Sequence, residues 1–140
     1  MKHKSGFVNI IGNPNVGKST FMNSLIEEKL SIITNKAQTT RHRILGILNE
    51  KDVQIVFSDT PGIINPKYKL QESMMSFVKS AFEDADIIIY MLETGDQGLN
   101  NKMLFEKLKS IQIPIILLLN KIDLASQELI NKEINKWKLI

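Results

Sequence analysis

Three short apolar runs constrain this chain most: Phe7-Val8-Asn9-Ile10-Ile11, Ile87-Ile88-Ile89-Tyr90-Met91-Leu92 and Ile115-Ile116-Leu117-Leu118-Leu119. A strand with one wet face alternates apolar and polar residues, so near-continuous runs predict parallel strands covered on both faces, central to one sheet. Between and after them the period becomes helical. One stripe joins Leu70, Met74, Phe77, Val78, Ala81, Phe82 and Ala85, a second Leu104, Leu108 and Ile111, and a third Ile130, Ile134 and Trp137. Residues 43–49 and 53–58 flank the polar turn Asn49-Glu50-Lys51-Asp52, which predicts an antiparallel hairpin at a sheet edge. The expected fold class is α/β, a doubly wound, mostly parallel sheet with an antiparallel edge hairpin. Ligands of such sheets bind beyond the carboxyl ends of the strands.

Length and composition agree with one folded unit. The 140 residues suit a single domain, and 43% hydrophobic with 24% charged residues is the balance of a globule rather than a disordered tail. A net charge of +3 is too small to argue for a nucleic-acid surface. The absence of cysteine excludes disulfides and thiolate metal sites and fits a reducing compartment, so a cytoplasmic location is expected. No apolar run reaches the roughly 20 residues a membrane helix needs, and the run after Met1-Lys2-His3-Lys4 is too short for a signal-peptide core.

Gly12-Asn13-Pro14-Asn15-Val16-Gly17-Lys18-Ser19 lies between the first apolar run and the stripe Phe21, Met22, Leu25, Ile26. That strand-to-helix setting is what a phosphate-binding loop requires. Glycines let the backbone curl so that N–H groups, including those at Asn13, Val16 and Gly17, and the following helix start face phosphate oxygens. Lys18 is expected to reach the β and γ phosphates and Ser19 to offer its hydroxyl to Mg2+, with Thr20 beside it in the nucleotide-binding set. A glycine-rich turn with no ligand is the bland alternative, and the matching flanks argue against it.

Asp59-Thr60-Pro61-Gly62 follows the strand expected at 53–58, so Asp59 falls at a carboxyl end and suits a Mg2+ contact through water. Gly62 can bring its N–H close to a γ-phosphate. Alone this is ordinary turn composition; following a phosphate loop, it supplies the other half of a metal–triphosphate site.

Asn120-Lys121-Ile122-Asp123 follows the last apolar run. A carboxylate accepts two hydrogen bonds from a base only where two donors are adjacent; guanine offers N1–H and its 2-amino group, whereas adenine has an acceptor at N1. Asp123 therefore predicts guanine. Asn120 is expected to tie this loop to the phosphate loop, and the stem of Lys121 to lie along the base. A helix cap by Asp123 is the competing explanation.

With these motifs in order, the chain resembles translation-factor-class GTPases. Gly12 to Ser19 together with Lys36-Ala37-Gln38-Thr39-Thr40-Arg41-His42-Arg43 narrows the resemblance to the bacterial Era GTPases. That resemblance implies GTP and GDP as ligands, Mg2+ as cofactor, and hydrolysis used as a switch in assembly of the small ribosomal subunit. It implies that Thr40, with Thr39 as the alternative, supplies a second hydroxyl to Mg2+ in a loop ordered by the γ-phosphate. Lys18, Gly62 and Thr40 would then carry catalysis. Many GTPases place a water-orienting Gln after the glycine of the second motif; Ile63 stands there and cannot hydrogen-bond water. The resemblance is to the group with a hydrophobic residue at that position, some of whose members bind K+ at the asparagine matching Asn15. Asn15 is thus the candidate for K+ and for charge stabilisation. The contrasting function is a nucleotide-holding or interaction module without significant turnover.

The resemblance also implies more chain than is present: a final strand and helix, a last Ser-Ala-type guanine motif, and a KH domain that binds small-subunit ribosomal RNA. Residues 1–140 are expected to be a GTPase domain that stops short of these. Contact with the pre-ribosome, and peripheral contact with a membrane, would belong to the longer protein. Lys36, Arg41, His42 and Arg43 could touch RNA, but without aromatic stacking partners a solvated loop is the preferred reading.

Overall fold

The computed structural model describes residues 3–28, 31–34 and 44–140. Six strands form one sheet in the order β2-β3-β4-β1-β5-β6, with β1 at Lys4–Ile11, β2 at Ser31–Thr34, β3 at Ile44–Asn49, β4 at Val53–Asp59, β5 at Ile87–Glu93 and β6 at Ile115–Asn120. β4, β1, β5 and β6 run parallel, while β3 pairs antiparallel with both β2 and β4. The α-helices are α1 (Lys18–Glu28), α2 (Lys69–Asp84), α3 (Lys102–Ser110) and α4 (Gln127–Lys138).

Both faces of the sheet are covered, as a doubly wound arrangement requires. On one face Ile11, Ile88, Tyr90 and Leu92 pack with Met75, Val78 and Phe82 of α2, Leu104 and Leu108 of α3, and Trp137 of α4. On the other, Val8, Ile10 and Ile89 pack with Met22 of α1. Asn9, the polar residue inside the first apolar run, is fully buried, and its amide donates to the Ala81 carbonyl at 2.6 Å and to Asp84 Oδ1 at 2.7 Å. This joins β1 to the end of α2 and satisfies a group whose burial would otherwise be costly.

Three expectations need correction. The β3–β4 hairpin forms, but β4 lies inside the sheet against β1, and the outer strand on that side is the short β2. β6, expected to be central, is the last strand of the described sheet, and Ile116 and Leu117 remain 51% and 43% exposed. Residues 115 to 119 alternate between the two core faces, and among the described residues the second face is covered by α1, whose contacts do not reach Ile116. The helical stripes pack inward at most positions, Val78, Ala81, Phe82, Leu104, Leu108 and Trp137 among them, but not at all. Leu70 and Ile134 are exposed, whereas Met75 and Glu133 are buried. Among the described residues no helix is long and apolar enough to cross a membrane.

Candidate functional site

The loops that follow β1, β4, β5 and β6 meet at the carboxyl end of the sheet, on either side of β1, where the chain's crossovers change direction. Gly12 to Gly17 leaves β1 and enters α1 at Lys18. Asn15 and Gly17 take positive φ, 66° and 108°, and curl the loop. Gly12 lies against the Met91 carbonyl, leaving no room for a Cβ.

Lys18 is buried beneath this loop, and its Nζ donates to the Asn13 carbonyl at 2.9 Å. Burial lowers its pKa from 10.5 to about 8, against the opposing pull of Asp59 and Asp96. Among the described residues the charge is held inside the loop by the neutral Asn13 carbonyl and two nearby carboxylates, an environment that a polyphosphate would improve. Ser19, next along α1, donates from Oγ to Asp59 Oδ2 at 3.1 Å. A hydroxyl and a carboxylate converging in this way form a hard oxygen pair, which fits Mg2+. Thr20 is exposed on the same turn.

The segment after β4 is fastened to the phosphate loop. Thr60 Oγ1 donates to the Ile10 carbonyl at 2.8 Å, and the Ile63 N–H donates to the Gly12 carbonyl at 3.0 Å. A Cβ on Gly62 would stand 2.7 Å from Cα of Pro14, so the glycine permits the close approach of the two loops. The Ile63 side chain is fully buried in the helix-covered core and turned away from the loops.

Asn120 donates from Nδ2 to the Val16 carbonyl at 2.8 Å. Lys121 adopts left-handed geometry, φ 58° and ψ 35°, and its Nζ reaches the Asn15 carbonyl at 2.6 Å and Glu93 Oε2 at 2.8 Å. The tip of the lysine is anchored while its stem crosses between loops. Asp123 is exposed on the 3-10 turn Ile122–Leu124. The cap of α4 is Ser126, whose Oγ accepts from Leu129 N at 3.2 Å, so Asp123 is not needed for capping.

The structure therefore brings together Asn15, Val16, Gly17, Lys18, Ser19, Asp59, Gly62, Asn120 and Lys121, with Asp123 at the rim. Asn13 is placed differently from a ligand-facing residue. Its Nδ2 donates to the Gly98 carbonyl at 2.8 Å and its Oδ1 accepts from Asn100 N at 2.7 Å, leaving its backbone carbonyl for Lys18. Thr39, Thr40, Lys36, Arg41, His42 and Arg43 lie outside the described residues. Asp96 and Asn101, on the loop after β5, escaped the sequence reading. For Asn101 there was a usable signal, since asparagine before a helical stripe favours an N-cap.

A family model described as "50S ribosome-binding GTPase" matches residues 7–121. GTPase Era of Alkaliphilus metalliredigens is 45% identical over 133 residues, 94% of this chain and 45% of that protein. GTPase Era of Staphylococcus epidermidis is 46% identical over 138 residues, 98% of this chain and 46% of that protein. The chain thus spans about half the length of the curated relatives it matches. Among solved structures, Era in complex with MgGDPNP and nucleotides 1506–1542 of 16S ribosomal RNA is 39% identical with a TM-score of 0.75, covering 96% of this chain and 48% of that one. A variant of Aquifex aeolicus Era bound to GDP·AlF4− gives the same identity and TM-score, over 97% and 48% of the two chains.

Proposed function

The chain belongs to the family of ribosome-binding GTPases, and from that premise we propose that it binds GTP and GDP at the carboxyl end of its sheet and hydrolyses GTP to GDP and phosphate. One observation carries the reading. Loops distant in sequence are joined at their functional residues, Ser19 to Asp59 at 3.1 Å and Asn120 to the Val16 carbonyl at 2.8 Å. Phosphate, metal and base recognition then share one frame.

In this reading the curled backbone at Val16 and Gly17 and the start of α1 receive the phosphates, and Lys18 exchanges the Asn13 carbonyl for phosphate oxygens. Ser19 and Asp59, with Thr40, would hold Mg2+, which when bound neutralises charge on the phosphates. Gly62 offers its N–H to the γ-phosphate from a segment already fastened to Gly12. Asp123 reads guanine N1–H and the 2-amino group, while the stem of Lys121 supports the base. Ile63, buried in the core, positions no water, so hydrolysis depends on charge stabilisation and is slow without a partner. That burial also favours the second reading, a protein that holds nucleotide with little turnover.

We assign the ribosomal role to the small subunit. The family description names 50S, whereas the Era structure at 39% identity is bound to 16S ribosomal RNA; the specific likeness is the better guide. Purified protein titrated with GTP, GDP and ATP, then followed for phosphate release, tests the proposal. Guanine-selective binding with release above background supports it, and binding without release favours the second reading.

A further inference from the structure

Asn101 stands at a junction that no phosphate-binding motif includes. Its Oδ1 accepts from Leu104 N at 3.2 Å and closes the start of α3, while Nδ2 of the same amide donates to the Ile64 carbonyl at 3.2 Å. Ile64 follows Ile63, whose N–H is held by Gly12 of the phosphate loop. On the other side of the junction, Asn13 grips the Gly98 carbonyl and the Asn100 N–H. Two asparagine amides, each used as donor and acceptor, thus hold the segment Gly98–Asn101 between the phosphate loop and the segment after Gly62.

We propose that Asn101 is a positioning residue for γ-phosphate recognition: it fixes the segment after Gly62 relative to the phosphate loop and couples that spacing to α3. The proposal rests on the reading that the site takes GTP and GDP. GDP lacks the phosphate that Gly62 would meet, so an effect through Ile64 falls on GTP alone. A helix cap with no further role behaves differently. Asparagine and aspartate cap about equally well, and a carboxylate is welcome at a helix start. Aspartate, however, has no donor for the Ile64 carbonyl and sets a negative charge against it. Asn101→Asp therefore separates the two roles.

The experiment measures Kd for a fluorescent GDP and for a non-hydrolysable GTP analogue with Mg2+ present, beside thermal unfolding, in the unsubstituted protein and in Asn101→Asp. The expected result is a thermal midpoint lowered by no more than a few degrees, the cost of one hydrogen bond to the fold, with GDP affinity within about twofold and GTP-analogue affinity reduced about tenfold. Asn13→Ala, which loosens the loop serving both nucleotides, is expected to weaken both. Equal affinities before and after substitution, or equal losses for both nucleotides, overturn the proposal. If Asn101→Asp does not fold, Asn101→Ser retains a cap oxygen and lacks the amide donor, and the same selective loss is required of it. Failure of the unsubstituted protein to bind either nucleotide would remove the underlying reading and the proposal together, and would be visible before any variant is made.

Discussion

Asn120 and Val16 are joined by a 2.8 Å hydrogen bond from the side-chain amide of one to the carbonyl of the other. Gly17, at φ 108°, lies so close that a Cβ there would collide with the same amide. The loop at Asn120 and the loop Gly12 to Gly17 are therefore one structural unit.

Two costs follow for Gly17→Ala, the collision and the positive φ, and the variant is expected to lose about 1–3 kcal/mol of stability. Asn120→Ala leaves the buried Val16 carbonyl unmet, for about 1–3 kcal/mol. Combining them removes the collision but not the strain, so denaturant titration of the double variant should show less than the sum of the two losses. Strict additivity would mean that the loops do not touch in solution.

Trp137 packs edge-on to Tyr90 at 5.6 Å and to Phe105 at 6.4 Å, and its Nε1 donates to Glu133 Oε2 at 3.3 Å. It is the anchor of α4. Trp137→Ala should cost about 3–5 kcal/mol in chemical denaturation, as expected for a large aromatic removed from a core. As the only tryptophan it also reports that event in the parent protein by fluorescence.

Lys18 gives a pH signature. Its pKa falls from 10.5 to about 8 on folding, so between those values the unfolded chain keeps a proton that the folded chain has released. From this group stability therefore rises with pH across that window, and is penalised below it. Phosphates bound beside Lys18 pull its pKa back up. Nucleotide binding should then take up close to one proton at about pH 9 and little at about pH 7, measured by calorimetry in buffers of different ionisation enthalpy. No difference in uptake between the two would show that the ammonium does not meet the phosphates.

Asn15 is exposed at φ 66° and its carbonyl accepts from Lys121; in the proposed site its side-chain oxygen would be the atom offered to a cation. If K+ is used there, GTP turnover is faster in K+ than in Na+ at equal ionic strength, and Asn15→Ala abolishes the difference. Equal turnover in both salts would remove K+ from the account.

The sequence made much of the frame legible, because parallel strands covered on both faces leave unbroken apolar runs and motif offsets are local. Val8 to Ile11 and Ile88 to Leu92 lie where that logic puts them, while Phe7, at the start of its run, stays exposed. The same run at Ile115 to Leu119 misleads, since apolarity records a face suited to cover without saying what covers it. Ile134 and Leu70 misled for the same reason. β2, four residues without alternation, carried no periodic signal. Within the site, Gly17, Lys18 and Ser19 were readable from spacing. The turning of Asn13 toward Gly98 depends on a partner 85 residues away, which no local pattern encodes.

The central claim is that Asp123 makes a phosphate-binding site specific for guanine, and nucleotide competition on the parent protein and on Asp123→Asn tests it most directly. The account predicts GTP far above ATP in the parent. In the variant it predicts GTP binding weakened about a hundredfold or more, since two hydrogen bonds to a charged acceptor are worth about 1.5–3 kcal/mol each. Xanthosine triphosphate, which presents a carbonyl where guanine has its amino group, should gain at the variant. ATP binding as tight as GTP, or an Asp123→Asn protein indistinguishable from the parent, would contradict it.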